Sequence, residues 1–465
     1  MSIDSPLFFF FLIVTYGACA LAADSQRKYV LLGASCGFYA LAGVFSALAT
    51  ASLIAVNYVM MTRIARSRCD DERDRLYSMS IIVNIAVFVA LKLALEPSLA
   101  QGESASSGAS SSIAYPLGLS FIVLILHGAI TDVHAGGFAW RGGLSDLALH
   151  CLFFPYVTAG PIPRLSKTVE TLAPPRPALD DALAGGSLIA LGLVEKLVIA
   201  NRIEPYVTNL FDPELHYSSL TLLTGILLNA AYIYSDFSGY TDIARGAARC
   251  LGIRLGINFD RPFRSRSVTE FWRRWHISFS SWLRDYIAMP LEFTFRRHGL
   301  LGTSLALIST FVICGFWHRA TPTFIVFGVL HGIAVTMELI AARYLPAGVR
   351  TAFESSFGTL VKHIYTTSFL LATMVLFSAP SLADAIRVFS DLLSLGAAPR
   401  ISDMYIGKGP FLFALLLLAA ASAYLLSVWR RDAVADRRPL FFLAASLLIL
   451  FLGNPVAGGF VYAQF

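Results

Sequence analysis

The sequence predicts an all-α integral membrane protein with about 11–13 membrane helices, and its composition and its apolar runs support this prediction. The 465-residue chain is 56% hydrophobic, is only 14% charged, and has a mean hydropathy of +0.66. Soluble proteins carry about 25% charged residues. The apolar residues also form runs close to the roughly 20 residues that a helix needs to cross a bilayer. Composition therefore excludes an ordinary soluble domain.

Apolar runs occur along the whole chain. Tyr29–Met61 is long enough for two crossings, whereas Leu440–Gly453 is short and would need to be extended or tilted. Weaker candidates, interrupted by Gly, His or charge, are Leu117–Ile130, Ser145–Ala159 and Leu183–Ala200. The clearer candidates are Leu7–Ala23, Tyr77–Leu95, Ser219–Tyr234, Thr303–Trp317, Thr323–Ala342, His363–Ser378 and Pro410–Trp429.

The positions of Lys and Arg predict the orientation, because basic residues favour the cytoplasmic side. Two basic clusters, Arg63–Arg75 and Arg430–Arg438, are placed inside. The stretch Gln101–Ser112 and the N-terminus then fall outside. Leu7–Ala23 is preceded by Asp4 rather than by basic residues, so it is predicted to be an uncleaved helix and not a signal peptide. Basic residues that anchor membrane helices do not indicate a nucleic-acid partner.

The six cysteines form neither a CxxC pair nor a Cys/His spacing typical of metal sites. Most of them lie in apolar runs, where a buried thiol behaves as a small hydrophobic group. We therefore predict no disulfide framework, no metal site and no tightly bound cofactor.

Polarity divides the chain into four segments. Residues 1–100 are ordinary membrane helices, and residues 101–115 form a Ser/Gly-rich loop. Residues 116–340 form a core that combines membrane-compatible segments with a dense polar and aromatic stretch, and residues 341–465 return to plain apolar helices. No internal repeat is visible, which weighs against transporter folds built from inverted repeats.

One segment of the aromatic stretch, Ser267–Tyr286, is predicted to form a single helix. Thr269 is the predicted N-cap and Pro290 the predicted end. Such a helix would lie in the membrane interface with its aromatic face toward apolar matter, and His276 would sit at the edge of that face. The aromatic residues within about 80° of helical arc are Trp272, Trp275, Phe279, Trp282 and Tyr286.

Three histidines are candidates for chemistry. His318 ends an apolar run, and Pro322, four residues later, predicts a helix break there. A neutral imidazole at such a break can face a tunnel and accept a proton from a hydroxyl. His276 and His331 stand beside other apolar segments. For each of the three, the alternative is a structural histidine that is hydrogen-bonded within the core.

Acidic residues of the same stretch are predicted to form a structural network of ion pairs. Motifs for a serine or cysteine nucleophile and Gly-rich nucleotide loops do not occur in the sequence. If the protein transfers acyl groups, this pattern favours direct attack assisted by a base. The predicted network comprises Asp236, Asp242 and Glu270 with Arg245, Arg261 or Arg273.

Several strings in this stretch resemble the membrane-bound O-acyltransferase (MBOAT) family. They are most similar to its bacterial branch, which contains the alginate O-acetyltransferase membrane subunit and the D-alanyl transfer protein of teichoic acids. The most specific string is Thr269–Tyr286, which reads TEFWRRWHISFSSWLRDY. Phe153–Arg164 is moderately specific, and Phe460–Phe465 is also similar, so the resemblance covers about residues 150–332. The other strings are Asp236–Asp242, Asn258–Phe263, Gly315–His318 and Leu330–Gly332.

The resemblance implies a ring of tilted helices around a central tunnel, together with interfacial helices. It implies that His318 is the catalytic histidine and that His276 is a second functional histidine. Further candidates for substrate binding or tunnel lining are Arg319, His331, Asp236 and Trp317.

Two departures from the family pattern bear on the site. Arg319 stands where the family usually has Gly, and a cation there could narrow the tunnel, disfavour the protonated imidazole or bind an anionic donor or substrate. Glu292–His298 replaces a Gly-rich stretch of the family. Both departures leave the identity of donor and acceptor open.

The resemblance implies that the protein moves an acetyl group across the membrane for O-acetylation of an extracytoplasmic, alginate-like exopolysaccharide. The donor would be a thioester, either acetyl-CoA or an acyl carrier. The expected partners are the lipid bilayer, a periplasmic SGNH-type acetyltransferase and polysaccharide machinery, and the expected location is the bacterial inner membrane. The alternatives are D-alanyl or other acyl transfer to a cell-envelope acceptor, a transporter or flippase that relays protons, and an inactive scaffolding member.

Overall fold

The computed structural model describes residues 1–41, 43–100, 118–136, 140–158, 160–168, 176–213, 217–394 and 438–455, without the side chains of 95–100, 167–168 and 438–443. Every regular element in these ranges is helical, as predicted, and none is a strand. Several predicted features lie outside the described residues: the 101–115 loop, the helix Pro410–Trp429, most of the Arg430–Arg438 cluster and the terminal Phe460–Phe465 string.

The helices of the described chain are numbered here in chain order. Two π-helical turns, Val194–Ala200 and Arg284–Ala288, and two 3₁₀ turns, Pro262–Arg264 and Arg296–His298, interrupt or join them. The α-helices are α1 Pro6–Leu21, α2 Asp24–Ala40, α3 Val44–Arg66, α4 Asp70–Ala100, α5 Leu119–His134, α6 Leu144–Leu152, α7 Leu165–Thr168, α8 Leu179–Leu193, α9 Asn201–Leu210, α10 Ser219–Cys250, α11 Val268–Arg274, α12 Ile277–Leu283, α13 Met289–Phe295, α14 Gly299–His318, α15 Pro322–Tyr344, α16 Ala347–Glu354, α17 Ser356–Ser378, α18 Leu382–Leu393 and α19 Arg438–Leu452.

Seven helical segments of the described chain are long and apolar enough to span a membrane, so the protein is a multi-pass membrane protein. Two further apolar helices, α1 and α5, have 16 residues each, which is just below the roughly 17–25 that a crossing needs. The seven segments are Val44–Arg66, Asp70–Ala94, Leu179–Leu210, Ser219–Cys250, Ile277–His318, Pro322–Tyr344 and Ser356–Ser378.

The first compact unit comprises Met1–Ile189 and Tyr240–Gly256. Within it, α3 and α4 are joined by a reciprocal pair of hydrogen bonds between the buried amides of Asn57 and Asn84, at 2.9 and 2.8 Å. Each amide thus satisfies the other, which removes the cost of burying two polar groups between apolar helices.

The second compact unit comprises Ala190–Gly239 and Ile257–Ala463, and it holds all the candidate site residues that the sequence suggests. Its α14 and α15 form an antiparallel hairpin whose backbones approach closely at Gly315 and Gly328. A Cβ atom on Gly315 would lie 2.1 Å from the carbonyl oxygen of Phe324, so only glycine fits there. Close approach at small residues is typical of membrane helix pairs.

The aromatic segment is not the single helix that the sequence predicted. Its N-cap is Ser267, whose hydroxyl accepts from the N–H of Glu270 at 2.9 Å, rather than Thr269. The helix breaks at His276, where φ is 43°, and this break separates α11 from α12. Pro290 lies in the first turn of α13 and does not end the segment. The five aromatic residues of the predicted face are all buried within the protein.

Candidate active site

His318 is the last residue of α14 and is 2% exposed. The next helix begins at Pro322, so the predicted break follows His318 directly. Between the two helices the chain is extended, because Pro disfavours helical conformation in the residue before it. The imidazole lies among aromatic rings at centroid distances of 4.8–6.0 Å, namely Trp317, Phe377, Phe279 and Phe324.

A small apolar cavity adjoins His318. Its volume is about 20 Å³, which is room for about one water molecule. His331 lines the same cavity, together with residues of α11 and α17. His318 and His331 are the titratable residues that line this cavity. The residues from α11 are Phe271 and Trp272, with Trp275 directly after that helix, and those from α17 are Leu370, Thr373, Met374 and Phe377.

The hydrogen bonds of His331 assign its tautomer. The indole N–H of Trp272, which can only donate, lies 3.1 Å from Nδ1 of His331. Nε2 lies 3.1 Å from the hydroxyl of Thr373, which is also within reach of the carbonyl oxygens of Phe369 and Leu370. Nδ1 is therefore the acceptor and Nε2–H the donor. A neutral, fully bonded His331 holds Trp272 in place and is not itself available as a base.

His276 lies at the break between α11 and α12 and is 1% exposed. Burial lowers the pKa of His276 to about 3, so its imidazole is neutral at physiological pH. The left-handed break is fixed by Asn258, whose side-chain oxygen accepts from the N–H and hydroxyl of Ser278 at 3.1 and 2.7 Å. The backbone oxygen of Asn258 accepts from Ile277 at 2.9 Å.

Phe279 connects the two candidate histidines. Its ring centroid lies 5.0 Å from that of His276 and 5.8 Å from that of His318. Phe237 packs edge-on against His276 from another side, at 4.7 Å. His318 and His331 thus share a cavity, whereas His276, which is not among the described residues that line it, reaches the site through Phe279.

The remaining predicted site residues have distinct positions. Trp317 stacks on Phe279 at 4.5 Å and is 8% exposed. Arg319 is half-buried directly after His318, and its backbone N–H donates to the carbonyl oxygen of Gly315 at 3.1 Å. Arg319 therefore lies in the link between α14 and α15, directly after His318 in sequence.

Asp236 forms a buried ion pair, but its partner is Lys196 and not one of the arginines that the sequence analysis named. Its carboxylate accepts from Lys196 at 2.5 Å, and the two side chains are 0% and 5% exposed. Lys196 belongs to the π-helical turn that interrupts an apolar run. The lysine in this apolar run could have revealed the ion pair from the sequence, because a charge inside a membrane requires a partner.

Of the other two predicted ion pairs, one was correct and one had a different partner. Asp242 pairs with Arg245 at 2.7 Å, as predicted. Glu270 pairs with Arg274 at 2.9 Å, one helical turn away, instead of with Arg261 or Arg273.

Glu338 is a residue that sequence reasoning missed. Its carboxylate accepts from the backbone N–H groups of Val268 and Thr269 at 2.6 and 2.9 Å, and from the Thr269 hydroxyl at 2.6 Å. A residue of α15 therefore caps the first turn of α11, where N–H groups lack intrahelical partners. A single carboxylate within an apolar helix was the signal that could have revealed it.

The described residues contain no group of three or more His, Cys, Asp or Glu side chains that could hold a metal ion, and no two of the six cysteines are bonded. What the site offers is a buried imidazole in an aromatic surrounding. Such a group can accept a proton from a hydroxyl, a step that contributes roughly 10²–10⁴-fold to rate.

Comparisons with known proteins identify the family of this chain. The family model described as MBOAT, membrane-bound O-acyltransferase family, matches residues 143–379, which include the histidines and Glu338. A probable alginate O-acetylase of Azotobacter vinelandii is 30% identical over 85% of this chain and 79% of its own.

Relatives with other named functions also match part of this chain. A peptidoglycan O-acetyltransferase of Helicobacter pylori is 30% identical over 54% of this chain and 47% of its own. A teichoic acid D-alanyltransferase of Bacillus subtilis is 30% identical over 47% of this chain and 58% of its own. The chain therefore belongs to the membrane-bound O-acyltransferase family.

Proposed function

We propose that this protein is an O-acetyltransferase of the bacterial inner membrane that moves an acetyl group across the membrane for O-acetylation of an extracytoplasmic, alginate-like polysaccharide. The observation that carries the proposal is His318, buried at a helix break beside an apolar cavity. Relatives named as alginate O-acetylases support the acetyl group and the polysaccharide.

His318 acts as the base in this proposal. Its neutral imidazole takes the proton of an acceptor hydroxyl as the hydroxyl oxygen attacks the carbonyl carbon of an acyl thioester. The carbon–sulfur bond then breaks, and the imidazolium returns the proton to the leaving thiolate. No acyl-enzyme intermediate is needed, in line with the absence of a nucleophile motif from the sequence.

The neighbouring residues position the reacting groups. Trp272 lines the cavity, and its indole N–H donates a hydrogen bond to Nδ1 of His331, which holds Trp272 in place. Phe279 packs against both His276 and His318, and Trp317 packs on Phe279. The tunnel implied by the family resemblance would bring donor and acceptor to His318 from opposite sides of the membrane.

The donor in this proposal is acetyl-CoA or an acetylated carrier on the cytoplasmic side. The acetyl group passes to a periplasmic SGNH-type acetyltransferase, which completes the ester on the polysaccharide. A second candidate is D-alanyl transfer to a cell-envelope acceptor, which the similarity to teichoic acid D-alanyltransferases favours.

The test is transfer of a radiolabelled acetyl group from a thioester donor by the purified protein in liposomes. His318→Ala should abolish transfer, whereas His298→Ala, which changes an exposed histidine of a 3₁₀ turn, should not. Folding is checked by monodispersity and thermal stability. Near-normal acetyl transfer by well-folded His318→Ala protein would reject the catalytic role, and transfer of D-alanyl but not acetyl would favour the second candidate.

A further inference from the structure

The last described helix, α19, ends against an irregular part of another helix in the same unit. Residues 194–210 contain two irregularities, the π-helical turn Val194–Ala200 and Pro205 inside α9. Each of them disturbs the regular pattern of backbone hydrogen bonds in a helix. Backbone groups that are left over in this way need partners from other parts of the protein, because the interior of a membrane supplies no water to bond them.

Asn454, which follows α19, supplies a donor to both irregularities. Its backbone N–H donates to the carbonyl oxygen of Leu197, within the π-helical turn, at 2.9 Å. Its side-chain amide donates to the carbonyl oxygen of Asn201 at 3.4 Å. In a regular α-helix the N–H four residues later would bond this second oxygen, but that residue is Pro205, which has no N–H. The side chain of Asn454 therefore replaces the donor that Pro205 lacks.

Further contacts hold Asn454 in this place. The side-chain amide of Asn201 donates to the carbonyl oxygen of Asn454 at 2.7 Å. The guanidinium of Arg202 donates to the carbonyl oxygen of Leu452 at 2.8 Å. Apolar packing between α19 and the π-helical turn adds to these bonds, so the end of α19 is fixed to the turn. The apolar residues that pack there are Ala190, Val194, Val198, Ala445 and Ile449.

The π-helical turn lies directly on α10. A Cβ atom on Gly239 of α10 would lie 3.0 Å from the backbone nitrogen of Lys196, so the two backbones are in close contact. One helical turn earlier in α10, Asp236 forms its buried ion pair with Lys196. Lys196 directly precedes Leu197, whose carbonyl group is bonded by Asn454. A shift of the turn therefore has to move α10 or separate a buried ion pair, which is costly.

The position of α10 bears on His276. Phe237, the residue after Asp236, is fully buried, and its ring lies edge-on to the imidazole of His276 at 4.7 Å. His276 has φ 43°, a left-handed conformation that non-glycine residues rarely adopt. Such a conformation persists only where the surrounding structure holds it in place. The orientation of His276 thus depends on the residues packed around it, and Phe237 is one of them.

We infer that Asn454 is a positioning residue for acyl transfer, which acts on His276 through the π-helical turn. The turn passes its position to α10 through the Lys196–Asp236 pair, and α10 passes it to the imidazole through Phe237. The inference rests on the proposed function and extends it to a residue beyond the range that the family model matches. Asn454 acts through these contacts and not by touching the reacting groups.

Hydrogen exchange of the full-length protein in nanodiscs tests this link without turnover. Asn454→Ala removes the side-chain donor and keeps the backbone N–H. Amide exchange should rise by about three- to tenfold at the π-helical turn and in Val268–Leu283, the segment around His276, because a hydrogen bond that supports both is lost. Asn454→Asp keeps the side-chain shape but exchanges the donor for an acceptor, and should act in the same way. The matched control is Asn209→Ala, a half-buried asparagine near the other end of α9, which should leave both segments unchanged.

Pro205→Ala provides a specific rescue. An alanine at this exposed position restores the N–H that can bond the carbonyl oxygen of Asn201 within the helix. The double variant Asn454→Ala/Pro205→Ala should therefore recover most of the protection from exchange and most of the transfer rate. Pro205→Ala should not rescue Glu338→Ala, whose defect lies at the start of α11. This comparison distinguishes repair of one hydrogen bond from a general gain in helix stability.

Steady-state acyl transfer measures the consequence at the site. Per mole of folded protein, Asn454→Ala should lower kcat by about three- to tenfold. The KM of the thioester donor should stay unchanged, because Asn454 positions His276 and does not bind the donor. Unchanged exchange in Val268–Leu283 would overturn the inference, and so would equal behaviour of Asn454→Ala and Asn209→Ala. Failure of Pro205→Ala to rescue Asn454→Ala would also overturn it.

The two measurements separate failure of this inference from failure of the proposed function. If the parent transfers no acyl group but exchange around His276 follows Asn454 and Pro205 as expected, the proposed function is wrong and the link to His276 stands. If transfer depends on His318 but exchange around His276 is the same with and without the Asn454 side chain, the proposed function stands and the positioning role is wrong.

Discussion

The α14–α15 hairpin and the broken segment α11–α12 are held in opposite ways. The hairpin is joined by direct backbone approach at glycines, with a Cβ on Gly328 only 2.2 Å from the carbonyl oxygen of Phe311. The broken segment is held by polar side chains, in particular Glu338 and Asn258. Intact membrane helices satisfy their own backbone groups and need only close packing. A broken helix exposes donors at each new end, and these require outside partners.

The largest effect is expected from breaking the hairpin. Gly328→Val should leave little folded protein, because overpacking costs about 1–3 kcal/mol or more and here the new atoms meet backbone. The measurement is the yield of monodisperse protein and its Tm in detergent. Gly348→Ala in α16, where an added Cβ meets nothing within 4 Å, is the control and should keep or raise the Tm. Normal folding of Gly328→Val would contradict the close approach.

The second effect is expected from removing the cap on α11. Glu338→Ala removes three hydrogen bonds to a carboxylate and should lower acyl transfer by more than about tenfold, because each such bond contributes about 1.5–3 kcal/mol. Glu338→Gln keeps one acceptor oxygen and should restore part of the rate. Equal activity of the Ala and Gln variants would show that Glu338 does not act through this cap.

A double-mutant cycle sharpens the comparison at the point where the two regions meet. Trp272→Phe and His331→Phe each break the same hydrogen bond, so the double variant should lose little more activity than either single variant. The expected coupling is about 0.5–1.5 kcal/mol in transfer rate. Trp282→Phe, on the other side of the break, should show no coupling to His331. Additive losses for Trp272 and His331 would mean that the bond does not position Trp272.

The smallest effect is expected at Arg319, in the link between the two hairpin helices. Its side chain is half-buried beside His318, where the family usually has no side chain. Arg319→Gly should keep most of the kcat and raise KM by less than roughly fivefold, because partly exposed charges contribute about 0.2–1 kcal/mol. Steady-state kinetics with the thioester donor decide this. Complete inactivity of folded Arg319→Gly would show that this protein uses the arginine in the chemistry.

Structural features that depend on residues close together in the sequence were predicted well. Apolar length identified membrane helices, Pro322 placed the break after His318, and the spacing of aromatic residues identified a buried face. Asp242 and Arg245, three residues apart on one helix, were paired correctly. Each of these predictions depends only on the spacing of residues along one helix, and this spacing can be read directly from the sequence.

Tertiary structure alone decided the partners that come from distant parts of the chain. The segment around His276 has helical periodicity, and only the contacts of Asn258 and Glu338, 20 and 70 residues from their partners, show that it is broken and capped. The Lys196–Asp236 pair joins residues 40 apart. The sequence by itself determined which residues are apolar, aromatic or charged and how they repeat along helices. Which charge meets which carboxylate depends on helix packing, because an isolated helix carries no information about the side chains of its neighbours.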